Sequence, residues 1–324
     1  MSEKTILKRL ILETRIPPHL NRRFITISDE QIAGISDAIK SNYFAELTSD
    51  YLSTAAGRSD LEDHLIGRLS MSRRYTIPWL DSAKRLDGAR ILEIGCGTGS
   101  STAALAEQGA AVIGIDVDEK SLATARARLE ILGLPAEFVS ANAVDASRLF
   151  SGSQFDFIIF YASLEHMTHA ERLTSMRTTW EMLEPGQLWV ITETPNRLWF
   201  YDFHTSLMPF FMWLPDDLAF HYARFSPRSQ FREVYREPDP ESMVHFLRRG
   251  RGVSYHEFDL SMRPSSELEV VSDLAGFHRN RQILRKVKWR LSDAFRYTRF
   301  ISRSVANLHK GFFAPRLDLI IRKT

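Results

Sequence analysis

The chain has 324 residues, 44% apolar and 25% charged, with a single cysteine. That length allows two domains or one large domain with insertions, and the balance is that of a soluble globular protein able to bury a sizeable core. One cysteine excludes a disulfide framework and any multi-cysteine zinc site, and 42 basic against 40 acidic residues, a net charge of +2, exclude a general nucleic-acid binder.

No apolar run is long enough to span a bilayer. The opening MSEKTILKRLILETRIPP has scattered charge and no small-residue cleavage site. It reads as an amphipathic helix with Ile6, Leu7, Leu10 and Ile11 on one face, and the expected compartment is the cytoplasm. Residues 1–88 form a helical N-terminal cap, broken at Pro17–Pro18 and near Gly57. From 89 to 193 short apolar runs alternate with helical patterns. Strands are expected at 89–94, 111–116, 136–141, 155–161 and 187–193, and helices at 100–108, 119–132 and 169–183. Such alternation implies a parallel sheet with right-handed crossovers, and FDFIIFY (155–161) suits a strand covered on both faces.

Past 193 the period is lost. Residues 194–238, rich in aromatics and proline, read as a lid or substrate insertion, and 239–260 as a continuation of the core. Within that continuation Asp239 and Pro240 open a helix, and VSYHEFDL (253–260) is a strand. Residues 261–315 read as a basic helical insertion and RLDLIIRK (316–323) as the closing strand.

The chemistry is carried by ILEIGCGTGS (91–100) and AVIGIDVDE (111–119). A strand enters a loop with glycine at 95, 97 and 99, where the backbone turns tightly and a ligand can approach it closely. A helix leaves that loop, and its first N–H groups attract an anion. Asp116 stands at the end of the next strand, where a carboxylate can accept from a ribose diol. The dinucleotide fingerprint G-x-G-x-x-G would put its third glycine at 100, which is Ser100.

Glu93-x-Gly95-x-Gly97-x-Gly99 resembles motif I of the class I S-adenosylmethionine-dependent methyltransferases, and IDVDE resembles their ribose-binding acidic segment. The resemblance covers about half of the chain. It implies a doubly wound, mostly parallel seven-stranded α/β sheet, the seventh strand being antiparallel; the helical N-terminal extension and the helical insertions after strand 5 and before strand 7 lie outside it and are read from the pattern of residues. It also implies S-adenosyl-L-methionine as cofactor. Glu93, Gly95, Cys96, Gly97 and Gly99 would wrap its methionine part, Asp116 would hold the ribose, and Val117 would lie against the adenine. Asn142, in place of a more usual acid, and Ala143 would meet the adenine edge. Tyr161, ending strand 4, would lie near the sulfonium, and Arg73, Arg74 and Tyr75 near the carboxylate.

Methyl transfer needs an in-line nucleophile and, for oxygen, profits from a general base; histidine suits neutral pH. Candidates are His166, in the LEH that follows strand 4, and His204 with Asp202, two residues away. Two ligands without a third make no convincing metal site, so no metal is expected. Cys96 as a nucleophile is weighed against simple packing, and packing is preferred. LMPFFMWLP (207–215) is read as core, pocket wall or membrane-interface contact. Thirteen Lys or Arg against two acids over 279–324 suit a solvated face, an anionic acceptor or a negative membrane surface. Arg281, Arg285, Lys288 and Arg296 lead that segment, and no nucleic-acid partner is expected. The expected activity is therefore methylation, at oxygen, of a small-molecule or glycan- or lipid-linked acceptor. The rivals are an NAD(P)-dependent oxidoreductase and a non-catalytic cofactor-binding scaffold.

Overall fold

The computed structural model describes residues 16–46, 49–234, 239–280, 292–305 and 307–324. The amphipathic helix expected at the start, with Ile6, Leu7, Leu10 and Ile11, lies outside them, as do Arg281, Arg285, Lys288 and Trp289 of the basic stretch. Seven strands form one sheet in the order β3-β2-β1-β4-β5-β7-β6. They are β1 (Arg90–Ile94), β2 (Ala111–Asp116), β3 (Glu137–Ser140), β4 (Phe157–Tyr161), β5 (Leu188–Pro195), β6 (Glu269–Asp273) and β7 (Arg316–Arg322). β2 runs parallel to β1 and β3, while β7 runs antiparallel to β5 and β6. This is the doubly wound, mostly parallel sheet expected from the sequence, with helices on both sides.

The chain divides into two compact units, one drawn from residues 1–159 and 277–282, the other from 160–276 and 283–324. In the first, the helix Glu119–Leu132 starts on Asp118, whose carboxylate accepts from the backbone N–H groups of Lys120 and Ser121 at 3.2 and 3.1 Å. It ends on left-handed Gly133, and Leu122, Ala125, Leu129 and Leu132 are buried as the spacing required. The N-terminal helices belong to this unit. Ser28 and Gln31 cap the helix Asp29–Ala38 reciprocally. Arg73 pairs with the buried Glu107, and Asp81 takes both His19 and Arg85. Arg73 is thus spent on Glu107 and the Ile25 carbonyl, a holding role where the resemblance had placed it by the cofactor's carboxylate.

The second unit is organised by Arg172, on the helix His169–Glu181. Its guanidinium is buried and donates to the carbonyls of Leu164, Arg251 and Gly252 and to Glu257 Oε1 at 3.1 Å. Much of the aromatic insertion packs as core: Met208, Phe211, Met212, Phe220, Phe231 and Phe246 bury one another. Phe210 and Trp213 remain about half exposed and stack at 5.1 Å.

One element departs from expectation. Residues 253–260 are no strand: Tyr255–Ser261 is a helix, and the sixth strand is Glu269–Asp273, inside the stretch read as helical. Ser254 and Glu257 form the reciprocal helix start, with Ser254 N–H and Oγ–H donating to Glu257 Oε2 at 2.9 and 2.7 Å. Glu257, Phe258 and Ser261 are buried at helical spacing. β6 is a bulged edge strand pairing only with β7, which explains its weak apolar signature.

Removing one partner of a buried ion pair leaves an uncompensated charge, at a cost of roughly 3–5 kcal/mol. Arg172→Ala should lower the unfolding free energy by about that much in urea denaturation. A loss below about 1 kcal/mol, the range of an exposed pair, would show that this hub does not organise the unit.

Candidate active site

In the first unit, β1 runs into the glycine loop and β2 ends beside it. Asp116, the last residue of β2, accepts from Gly97 N–H at 2.9 Å through Oδ2 and from Asp118 N–H at 3.0 Å through Oδ1. Burial raises its pKa, against the pull of these N–H donors. The neighbouring Val117 side chain is 67% exposed, unusual for valine beside a partly buried carboxylate. Gly97 adopts φ +50°, and a Cβ there would meet nothing within 4 Å, so the loop has open space above it. Gly99, at φ +76°, is required from the other side, since a Cβ would fall 2.9 Å from Ala125 Cβ. Glycine therefore serves an approach in one case and helix packing in the other.

Glu93 shapes the loop from behind. It is fully buried and accepts from Ser101 Oγ and, at 2.5 Å, from Thr102 Oγ1, fastening the helix Ser100–Ala106 to β1. Cys96 is buried, its Sγ 2.9 Å from where a Cβ on Gly114 would stand, and burial pushes its thiol well above the usual range. Its buried place against Gly114 supports the packing reading, and burial disfavours the thiolate. Ser100, in the slot of the third dinucleotide glycine, begins the helix and is buried. Asn142 accepts from Val144 N–H at 3.2 Å and caps the short 3₁₀ turn Ala143–Asp145, with Ala143 buried beneath it. One lone pair of its amide oxygen is thus spent on the backbone.

The sequence reading missed Arg128. Its side chain is fully buried and donates only to carbonyls: Thr98 at 2.8 Å, Leu65 at 3.0 Å and His64 at 2.6 Å. Burial lowers its pKa to about 10. It holds the loop through Thr98, and the available signal was a charged residue beside Leu129 on the apolar side of the helix.

In the second unit the predicted residues gather at the ends of β4 and β5. Tyr161 Oη donates to Glu193 Oε1 at 3.3 Å. Glu193 was not singled out from sequence. It sits in a β5 irregularity between Ile191 and Thr194 with φ +59°, and Ala162, just past β4, has φ +43°. Left-handed backbone at non-glycine residues costs of order 1–3 kcal/mol and gathers at functional sites. Asp318 Oδ1 supports the bulge, accepting from Glu193 N–H at 2.7 Å and Thr192 Oγ1 at 3.0 Å.

His166 and His204 are brought together, their rings 5.5 Å apart. Asp202 does not orient the His204 ring as the pairing in sequence suggested. It is buried and accepts from the N–H groups of His204, Thr205 and Ser206 at 2.9, 2.9 and 2.5 Å, holding the turn that carries His204. The ring's Nδ1 lies 3.0 Å from Thr205 Oγ1, whose own proton goes to the Gly250 carbonyl at 2.8 Å, so Nδ1–H donates and Nε2 keeps its lone pair. Burial, then the neighbouring His166, lowers the His204 pKa to about 4. His166 Nδ1 lies 2.9 Å from the Arg248 carbonyl, which can only accept, so Nδ1 carries a proton. Glu165 joins them: its Oε1 is 4.0 Å from His204 Nε2, and burial raises its pKa.

Glu93 yields a pH test. Burial raises its carboxyl from 4.5 to about 7, so the folded chain holds a proton that the unfolded chain releases. Its contribution is fully present below about pH 4.5 and is lost as pH rises through about 7. Relative to Glu93→Gln, the native protein should lose stability across that window in denaturant titrations at stepped pH; parallel curves would refute the shift.

Residues 91–186 match the family described as Methyltransferase domain. Curated relatives include the ubiquinone biosynthesis O-methyltransferases of Azoarcus sp., 33% identical over 37% of this chain and 50% of that protein, and of Ruegeria pomeroyi, 35% identical over 36% and 46%. The chain thus spans about half the length of the relatives it matches. The magnesium protoporphyrin IX methyltransferase of Synechocystis PCC 6803 aligns at 20% identity and TM-score 0.38 over 53% of this chain and 80% of that one. By this family match, with the Glu93–Gly99 motif at its start, residues 91–186 are a methyltransferase domain, and the match supports the class I S-adenosylmethionine-dependent family.

Proposed function

We propose that this chain is an enzyme that moves a methyl group from S-adenosyl-L-methionine to an oxygen of a small-molecule or glycan- or lipid-linked acceptor. The observation that carries this reading is the Asp116 carboxylate at the end of β2, with open space over Gly97 and an uncovered Val117 beside it. When bound, the cofactor supplies an already activated methyl electrophile. Asp116 holds the loop N–H groups and has acceptor capacity left for a ribose diol. Val117 offers an apolar face to the adenine, and the backbone around Gly97 takes the methionine part. Asn142 and Ala143 border the adenine edge. These residues fit the group on this structure's own geometry.

Oxygen as the methylated atom is supported by His166 and His204, whose neutral rings offer Nε2 to an acceptor hydroxyl, and by the O-methyltransferase names of the curated relatives. An apolar body on the acceptor is supported by a pocket of about 600 Å3 in the second unit, lined among others by Leu198, Trp213, Leu260 and Tyr297, with Arg197 and His256 as polar groups. No helix among the described residues is long and apolar enough to cross a membrane. The exposed Phe210–Trp213 pair is the surface through which a membrane-borne acceptor would be met.

Calorimetry with S-adenosylhomocysteine tests the cofactor site. Asp116→Ala should weaken binding by about 1–3 kcal/mol, since an acceptor for two hydroxyls disappears. Unchanged binding, or tighter binding of NADH by the native protein, would overturn the assignment. Incubation with methyl-labelled S-adenosylmethionine and fractionated extract then identifies the acceptor, and cofactor binding with no labelled product in any fraction would favour a scaffold. His204→Ala should reduce turnover by about 10²-fold or more while leaving S-adenosylhomocysteine affinity intact; a full rate removes it from the chemistry.

A further inference from the structure

Among the described residues a few buried side-chain polar atoms lack a hydrogen-bond partner, Ser100 Oγ and Gln108 Oε1 in the first unit and Trp199 Nε1 and Glu165 Oε1 in the second among them, and Glu165 is the one carboxyl group of these. Glu165 is fully buried, its Oε2 accepts from Thr194 Oγ1 at 3.3 Å, and its Oε1 has no hydrogen-bond partner. An isolated buried carboxylate is among the costliest groups a fold can hold, and such groups are normally paired or bound to metal. The guanidinium that acts on it electrostatically, Arg172, is committed to Glu257 and three carbonyls. Facing Oε1 are two imidazoles, and with Nδ1 of each in a hydrogen bond, Nε2 is the atom each neutral ring can offer to a cation. One ligand atom from each of Glu165, His166 and His204 lies within 4.8 Å of the other two.

We propose that Glu165, His166 and His204 bind a divalent first-row transition cation. The donor set decides the class: two imidazole nitrogens and one carboxylate oxygen suit Zn2+, Co2+, Fe2+ or Mn2+, whereas Mg2+ and Ca2+ prefer oxygen throughout. Bonds of about 2.0–2.2 Å to a tetrahedral ion put its ligands about 3.3–3.5 Å apart, so the observed 4.0 Å between Glu165 Oε1 and His204 Nε2 closes by a small side-chain movement. The surroundings hold the ligands as metal sites require, each histidine giving its far N–H to a fixed acceptor. The backing of His204 is tight: a Cβ on Gly250 would lie 2.6 Å from Thr205 Oγ1 and 2.9 Å from His204 Nδ1. Three protein ligands leave a coordination position open for water or a hydroxyl. As a means of activating the acceptor oxygen, this deepens the methyl-transfer reading and rests on it; as a binding site it does not.

Co2+ is the probe. The protein, stripped with chelator and dialysed, should take up one equivalent with visible d–d absorption that Zn2+ bleaches, and its melting temperature should rise on metal addition. Glu165→Gln keeps the side chain's shape and should fold. It and His204→Ala should each weaken uptake by at least about tenfold, while His221→Ala, an exposed histidine on another helix, should not. No Co2+ uptake by the native protein, or equal uptake by Glu165→Gln, would overturn the site. S-adenosylhomocysteine binding by the stripped protein reports on the cofactor loop alone, so failure of either reading is seen separately.

Discussion

The carboxylate of Asp116 is the constraint on which the cofactor loop depends. It reaches from the end of one strand to the N–H of Gly97 in the loop that follows another, and so fixes where the loop stands. Two further anchors act on the same few residues. Glu93 ties the outgoing helix to β1, and Arg128 grips the Thr98 carbonyl from the next helix. Glu93 and Arg128 are buried and Asp116 is partly buried. Charged hydrogen bonds contribute about 1.5–3 kcal/mol each, while taking an ion out of water costs several. Net stability is therefore a poor reason for three of them to converge. Geometry is a better one: a loop with left-handed backbone at Gly97 and Gly99 has many alternatives, and directional bonds to charged groups select one.

The second unit solves a similar problem with strain and turns. Ala162 and Glu193 hold left-handed backbone at the ends of β4 and β5, and the β5 irregularity turns Glu193 towards Tyr161. Asp318 supports that bulge. Asp202, buried, collects the N–H groups of three successive residues and thereby aims His204. Its charge is used up in the turn, which is why it cannot also orient the imidazole. The aromatic insertion supplies the mass that keeps this turn in place, Met208 and Phe211 lying in its core. Buried hydrophobic area and directed polar bonds thus divide the work: the first holds the insertion down, the second points its histidine.

Legibility differed by element. Helix Glu119–Leu132 was readable to the residue because cap, apolar spacing and terminal glycine agree. Strands β1, β2, β4 and β5 were readable because they are buried on both faces and nearly continuous in apolar side chains. β6 was not, since an edge strand with a bulge needs little apolar surface. VSYHEFDL misled because its alternation suggested a strand, although Ser254 and Glu257 already spelled a helix start. Glu93, Asp116 and the glycines stood in a local pattern and were found by it. Glu193 was missed because nothing nearby in sequence marks it, and Arg128 because a charged residue beside Leu129 on the apolar side of a helix does not say which distant carbonyls it will hold.

What the sequence by itself determined was the order of β1 to β5 and of the helices between them, the cofactor class, and the residues that lie within one strand–loop–helix of each other. Periodicity and caps are local, and a motif is local too. What only the tertiary structure decided was which distant side chains meet: Arg128 on Thr98, and Glu165 with His204. It also decided which polar atoms are already spent, as Asp202's are, and which are left over, as Glu165 Oε1 is. The reason is that hydrogen-bond satisfaction and desolvation belong to a packed environment, and no stretch of chain carries that environment with it.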